Sequence, residues 1–91
     1  MITQDQLLQV KELASLFFTI EQISLLTRID NEFLKREITF GNGELNEAYW
    51  TGKLEREKEL RKELFGFAKE GSPQALDQVI IHLEEMNESE K

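Results

Sequence analysis

Two short apolar stripes set back to back between Thr19 and Ile38 constrain this chain more than anything else in it. Thr19 is followed three residues on by Gln22, the T-x-x-Q spacing of a capping box, so a helix is expected to start there. Ile23 and Leu26 fall at helical spacing and are expected to face inward, with Leu25 on their flank. Thr27-Arg28-Ile29 reads as a turn, and Asp30 as the cap of a second helix. In that helix Leu34 and Ile38, with Phe33 beside them, are expected inside, while Asn31, Lys35 and Arg36 point outward. Two short amphipathic helices about a tight turn outline a helix-turn-helix, the unit that lays its second helix in the DNA major groove. The competing reading is two core helices with no DNA role.

Two helices alone would leave an apolar face in water. The preceding stretch supplies a third. Thr3 and Gln6 form another capping box, and Leu7, Val10, Ala14 and Phe17 follow at steps of three and four. This helix is expected to run to about Phe17. After Ile38, Thr39-Phe40-Gly41-Asn42-Gly43 is a turn. Its flanks do not alternate, which argues against a β-hairpin wing.

From Glu44 or Leu45 a long helix is predicted to reach Lys69 or Glu70, with Gly71 as its stop. Leu45, Ala48 and Tyr49 open it on an apolar note and Leu60, Leu64 and Phe67 close it; the segment between them is almost wholly charged. A helix of about 25 residues spans roughly 38 Å, longer than a small core is wide, so it must contact something beyond that core. Ser72-Pro73 restarts a helix whose face is Leu76, Val79, Ile80 and Leu83, with Met86 near its end. The short link predicts an αα-hairpin, with the tail from Asn87 frayed.

The expected architecture is therefore all-α: a three-helix helix-turn-helix domain over residues 1–43, then a hairpin of a long and a short helix over 44–91. The hairpin is read as the oligomerisation element, through Tyr49, Trp50, Leu60, Leu64, Phe67, Val79, Ile80 and Leu83. Trp50 lies off the buried stripe, so it is either a subunit contact or an incidental surface residue.

Composition narrows the function. The chain has 91 residues, no cysteine, one histidine, and 18 acids against 11 bases, a net charge of −7. That balance opposes non-specific attraction to phosphate, so a DNA surface must be local. The first 43 residues hold it best, with six acids and four bases. The DNA-facing residues would be Arg28, as a phosphate contact, and Asn31, Lys35 and Arg36 as readers. For Lys35 and Arg36 the alternative is a solvated face paired with Glu32. No catalytic constellation is visible. His82 and Glu85 sit one turn apart, but no second ligand cluster accompanies them, so neither a metal nor another cofactor is expected. The opening MITQDQLL has no basic and apolar signal pattern, and no apolar run is long enough for a membrane span. A cytoplasmic location is expected.

Two stretches also resemble a family. LASLFFTIEQISLLTRIDNEFLKREI is similar to the N-terminal domain of phage terminase small subunits, where FFT-x-E-x-I leads into the helix-turn-helix. NEAYWTGKLEREKELRKELFGFAKEGSPQALDQVI resembles the segment after it, with Ala48, Tyr49 and Gly52 of AY-x-x-G, then Leu64, Ala68, Gly71, Ser72, Pro73 and Ala75 of L-x-x-x-A-x-x-GSP-x-A. The resemblance implies a non-catalytic DNA-recognition component of a viral packaging motor in a bacterial host. It also implies double-stranded DNA, copies of itself and a large packaging ATPase subunit as partners. Thr27-Arg28 replaces the family's usual Leu-Gly at the turn, and the sequence ends soon after the hairpin, which fits a stand-alone or prophage relative equally. A helical protein-interaction module and a transcriptional regulator of helix-turn-helix type are the other readings.

Overall fold

The computed structural model describes residues 2–89. Five helices account for nearly all of them: α1 (Gln4–Ser15), α2 (Ile20–Thr27), α3 (Asn31–Phe40), α4 (Glu44–Lys69) and α5 (Pro73–Ser89). No strand occurs among the described residues, so the Asn42-Gly43 turn carries no wing. The chain divides into two compact units, and the division falls inside α4, between Glu57 and Lys58.

In the first unit the helix starts lie where the local chemistry puts them. The Thr3 hydroxyl accepts from the Gln6 amide N–H while the Gln6 side chain accepts from the Thr3 N–H, both at 3.0 Å. Thr19 and Gln22 repeat the arrangement at 3.1 and 3.0 Å. Asp30 caps α3 by accepting from the Phe33 N–H at 3.0 Å. Each such cap satisfies donors that the first turn leaves open, for about 1 kcal/mol.

The end of α1 departs from the expected run to Phe17. The helix stops at Ser15, and Phe17 takes a left-handed conformation with φ 62°. Phe17 and Phe18 N–H groups bond back to the Ala14 and Leu13 carbonyls at 3.0 and 3.2 Å, a Schellman closure with phenylalanine where glycine is usual. Phe18 and Leu13 both pack against the core, and that contact offsets the cost of the bulky residue there.

Val10, Ala14, Ile23, Ile29, Leu34, Ile38, Leu45 and Tyr49 form the core of this unit. The four largest fully buried side chains, Ile23, Leu34, Ile38 and Val10, contribute about 1.5–3 kcal/mol each. Two expectations need correction. Leu26 is 57% exposed; the inner stripe of α2 is Ile23, Ser24 and Thr27, because Thr27 lies four residues from Ile23 and turns toward the core. Tyr49, assigned to an oligomerisation surface, is only 8% exposed and closes this core instead. Leu45 and Tyr49 thus make the start of α4 part of the first unit, which is why the unit boundary lies well beyond residue 43.

The approach of α4 to α1 depends on Gly52. A Cβ there would fall on the backbone of Lys11, 2.9 Å from its carbonyl carbon and 3.1 Å from its Cα, and nearer still to its carbonyl oxygen. Lys11 and Glu55 add an exposed ion pair at 3.9 Å across the same crossing.

The second unit begins at Lys58. Gly71, at φ 97°, ends α4: its N–H bonds the Ala68 carbonyl and the Ser72 N–H bonds the Phe67 carbonyl, at 3.0 and 3.1 Å. Ser72 then caps α5, accepting from the Ala75 N–H at 3.3 Å, with Pro73 in the first helical position. The helix continues through Ser89, past the expected fraying point at Asn87; residues 90 and 91 lie outside the described residues. Among the described residues of this unit only Ala75 is buried.

Candidate nucleic-acid interface

The connection between α2 and α3 is built from polar atoms that lock it. Ser24 is buried, and its hydroxyl donates to the Ile29 carbonyl at 2.6 Å. The Thr27 hydroxyl donates to the Ile23 carbonyl at 2.7 Å. The Gln6 amide reaches the Thr27 carbonyl from α1 at 3.3 Å. Ile29, read from sequence as part of the turn, drops into the core between the two helices. A buried side chain inside the link, with its carbonyl held by Ser24, leaves the link little freedom.

Arg28 stands at φ 61°, ψ 27°, the left-handed cap of α2. Its side chain is exposed, so the strained backbone is not offset by packing of that side chain. Arg28→Gly is therefore expected to stabilise the first unit by up to about 1 kcal/mol, a rise of roughly 4–8 °C in melting temperature. An unchanged or lowered melting temperature would contradict the left-handed assignment.

α3 presents two faces. Leu34 and Ile38 are buried, with Phe33 partly so. Asn31, Glu32, Lys35, Arg36 and Thr39 are exposed. The four residues read as DNA-facing, Arg28, Asn31, Lys35 and Arg36, are all exposed, and three of them share this outer face. The ion pairs with Glu32 that the alternative reading of a solvated face included are not formed among the described residues. Arg36 places its guanidinium 5.8 Å from the Phe33 ring, and among the described residues neither Lys35 nor Arg28 has a carboxylate partner.

The far end of α3 is tied to α4. The Ile38 carbonyl, one of the acceptors a helix end leaves open, receives the Asn46 amide at 2.7 Å and the Trp50 indole N–H at 3.3 Å. Trp50 is 40% exposed, stacks edge-on with Tyr49 at 5.2 Å and carries the Lys53 ammonium over its ring at 5.3 Å. Trp50 thus fixes α3 from below, a role its position off the apolar stripe did not reveal. Asn46 was likewise missed, since nothing in the sequence links it to residue 38.

The other residues read as oligomerisation contacts lie in the second unit. Leu64 and Val79 are partly buried there, whereas Leu60, Phe67, Ile80 and Leu83 are exposed. Phe65, Leu76, Ile81 and Met86 are exposed as well, so eight large apolar side chains of one small unit lie 42–58% open. His82 is partly buried, its Nδ1 has no hydrogen-bond partner, and Glu85 lies 3.8 Å away. No group of three or more metal-ligating side chains converges among the described residues, and no described helix is long and apolar enough to cross a membrane.

The chain matches no family model, no curated protein and no solved structure.

Proposed function

We propose that the protein is a non-catalytic, self-associating DNA-binding protein in which α2 and α3 act as a helix-turn-helix and α3 enters the major groove. One observation carries the reading. An exposed helix face holds Asn31, Lys35 and Arg36, with Arg28 exposed in the turn before it; among the described residues neither Lys35 nor Arg36 has a carboxylate partner, while the opposite face is buried. Ionic groups left unpaired on a surface helix remain available to phosphates and base edges. The locked link between the helices supports it, since a recognition helix must be held at a fixed angle. The resemblance to phage terminase small subunits points the same way, toward recognition of viral DNA for packaging by a large ATPase subunit.

Self-association rests on the second unit. Its half-open apolar side chains are too many for a surface that stays in water. Charge favours a copy of the chain as their partner: residues 58–69 of α4 carry four bases and two acids, whereas α5 carries four acids and no lysine or arginine. Assembly would also multiply the few bases each copy offers to DNA.

A second reading has its own support. Residues 1–57 hold ten acids against six bases, and Leu25 on α2 is 80% exposed, features suited to a protein partner. A salt-titrated gel shift separates the two. The DNA reading predicts duplex retention at low salt that fades as salt rises; no retention at the lowest salt removes DNA from the account and leaves the interaction module.

A further inference from the structure

We propose that a cleft in the first unit, where α1 ends and α2 begins against α4, binds a small aromatic carboxylate. The cleft has a volume of about 310 Å³ and is lined by Ala14, Phe17, Phe18, Thr19, Tyr49 and Lys53. It takes no residue from α3, so it stands apart from the DNA reading. The chain itself leaves two of these residues incomplete. Tyr49 is only 8% exposed, yet its hydroxyl has no hydrogen-bond partner among the described residues. The hydroxyl is not sealed from solvent, and the cleft that Tyr49 lines gives it an opening. Phe17 holds a left-handed backbone at φ 62° with its side chain 46% exposed. Glycine would meet the same helix closure without strain, so the turn alone does not account for the ring.

The charge of the lining names the occupant. In a chain of net charge −7, Lys53 is the one charged residue on this lining. It has no carboxylate partner among the described residues, and its ammonium lies 5.9 Å from the Tyr49 ring and 5.3 Å from the Trp50 ring. The Thr19 hydroxyl accepts from the Gln22 N–H at 3.1 Å, which leaves its own proton to donate. A lysine and two hydroxyl donors with no acid among them select an anion. One lysine balances one carboxylate, whereas a phosphate, at about −1.5 to −2, would exceed it. Phe17, Phe18 and Ala14 supply the apolar wall for a ring. Ligand sites span about 300–1,000 Å³, and this cleft is at the low end, which suits one ring and a short acidic arm.

The test is a titration of the full chain with phenylacetate, followed by amide NMR shifts and by the emission of Trp50, the sole tryptophan. Phenylacetate is expected to shift the amides of Phe17, Thr19 and Lys53 saturably, with half-saturation at about 1–10 mM for a ligand of that size. Trp50 emission should change as the Lys53 ammonium turns from its ring to the carboxylate. Phenylacetamide, which lacks the charge, and acetate, which lacks the ring, should each bind roughly tenfold more weakly. Lys53→Met should reduce the acid to the level of the amide. Phe17→Gly, which suits the left-handed backbone, should weaken binding roughly tenfold without lowering the melting temperature. Tyr49→Phe should weaken binding while circular dichroism stays that of the parent. No saturable shift at ten times the expected concentration, equal binding of acid and amide, or a Phe17→Gly variant that binds like the parent overturns the site. Binding only by a peptide ending in phenylalanine, with phenylacetate silent, overturns the small-molecule ligand and gives the cleft to a protein terminus.

Discussion

Gly52→Ala is expected to destabilise the first unit by about 3 kcal/mol, lowering the melting temperature by roughly 10–20 °C. In an exposed helix the same change would stabilise, since alanine is the better helix former by about 1 kcal/mol. At Gly52 the added methyl meets main chain, the Lys11 carbonyl and Cα, which cannot rotate aside as a side chain would. α4 must then lift from α1, opening the core contacts of Val10, Ala14 and Tyr49. Gly66 supplies the control on the same helix, because nothing lies within 4 Å of its added Cβ. Gly66→Ala should stabilise by about 0.5–1 kcal/mol. Opposite signs in thermal melts would establish the close crossing of the two helices; a neutral Gly52→Ala would contradict it.

Charging the open face of the second unit is the other substitution with a large effect. Phe67→Lys combined with Ile80→Lys replaces two exposed apolar side chains and adds positive charge. Both positions are about half open in the single chain, so the hairpin loses part of their burial, and circular dichroism should show the double variant still helical. An assembly that buries them would lose two apolar anchors and gain desolvated charge, a cost of several kcal/mol per interface, in the range of about 2–4 kcal/mol per anchor. Sedimentation or light scattering should therefore find an oligomer for the parent chain and a 10.7 kDa species for the double variant. A parent chain that stays monomeric at high concentration would contradict the assembly.

Local chemistry was legible in the sequence and tertiary choice was not. Both capping boxes, the Asp30 and Ser72 caps and the Gly71 stop each depend on residues within a few positions of one another, and each forms where read. The left-handed Phe17 was hidden because its compensation, the packing of Phe18 and Leu13 on the core, is a tertiary effect. Leu26 and Thr27 are adjacent on α2, and hydropathy alone prefers the leucine; the threonine goes inside because its hydroxyl finds the Ile23 carbonyl. Tyr49 was grouped with the hairpin because it belongs to α4, yet the front of that helix serves the first core. The outward face of α3 was readable, since Leu34 and Ile38 fix its opposite side. The absence of pairing around Glu32 was not, because it depends on where Arg36 settles over Phe33.

The most direct measurement is the salt dependence of duplex binding by the parent chain and by Lys35→Glu with Arg36→Glu. Each phosphate neutralised contributes a slope of about −0.9 in log affinity against log salt. With Arg28, Lys35 and Arg36 engaged, the parent chain should show about −2 to −3 per bound copy, and the charge-reversed variant should retain no duplex even at the lowest salt. Both substitutions lie on the exposed face, so the variant should remain fully helical. Binding by the variant equal to that of the parent, with the same slope, would show that α3 does not meet DNA.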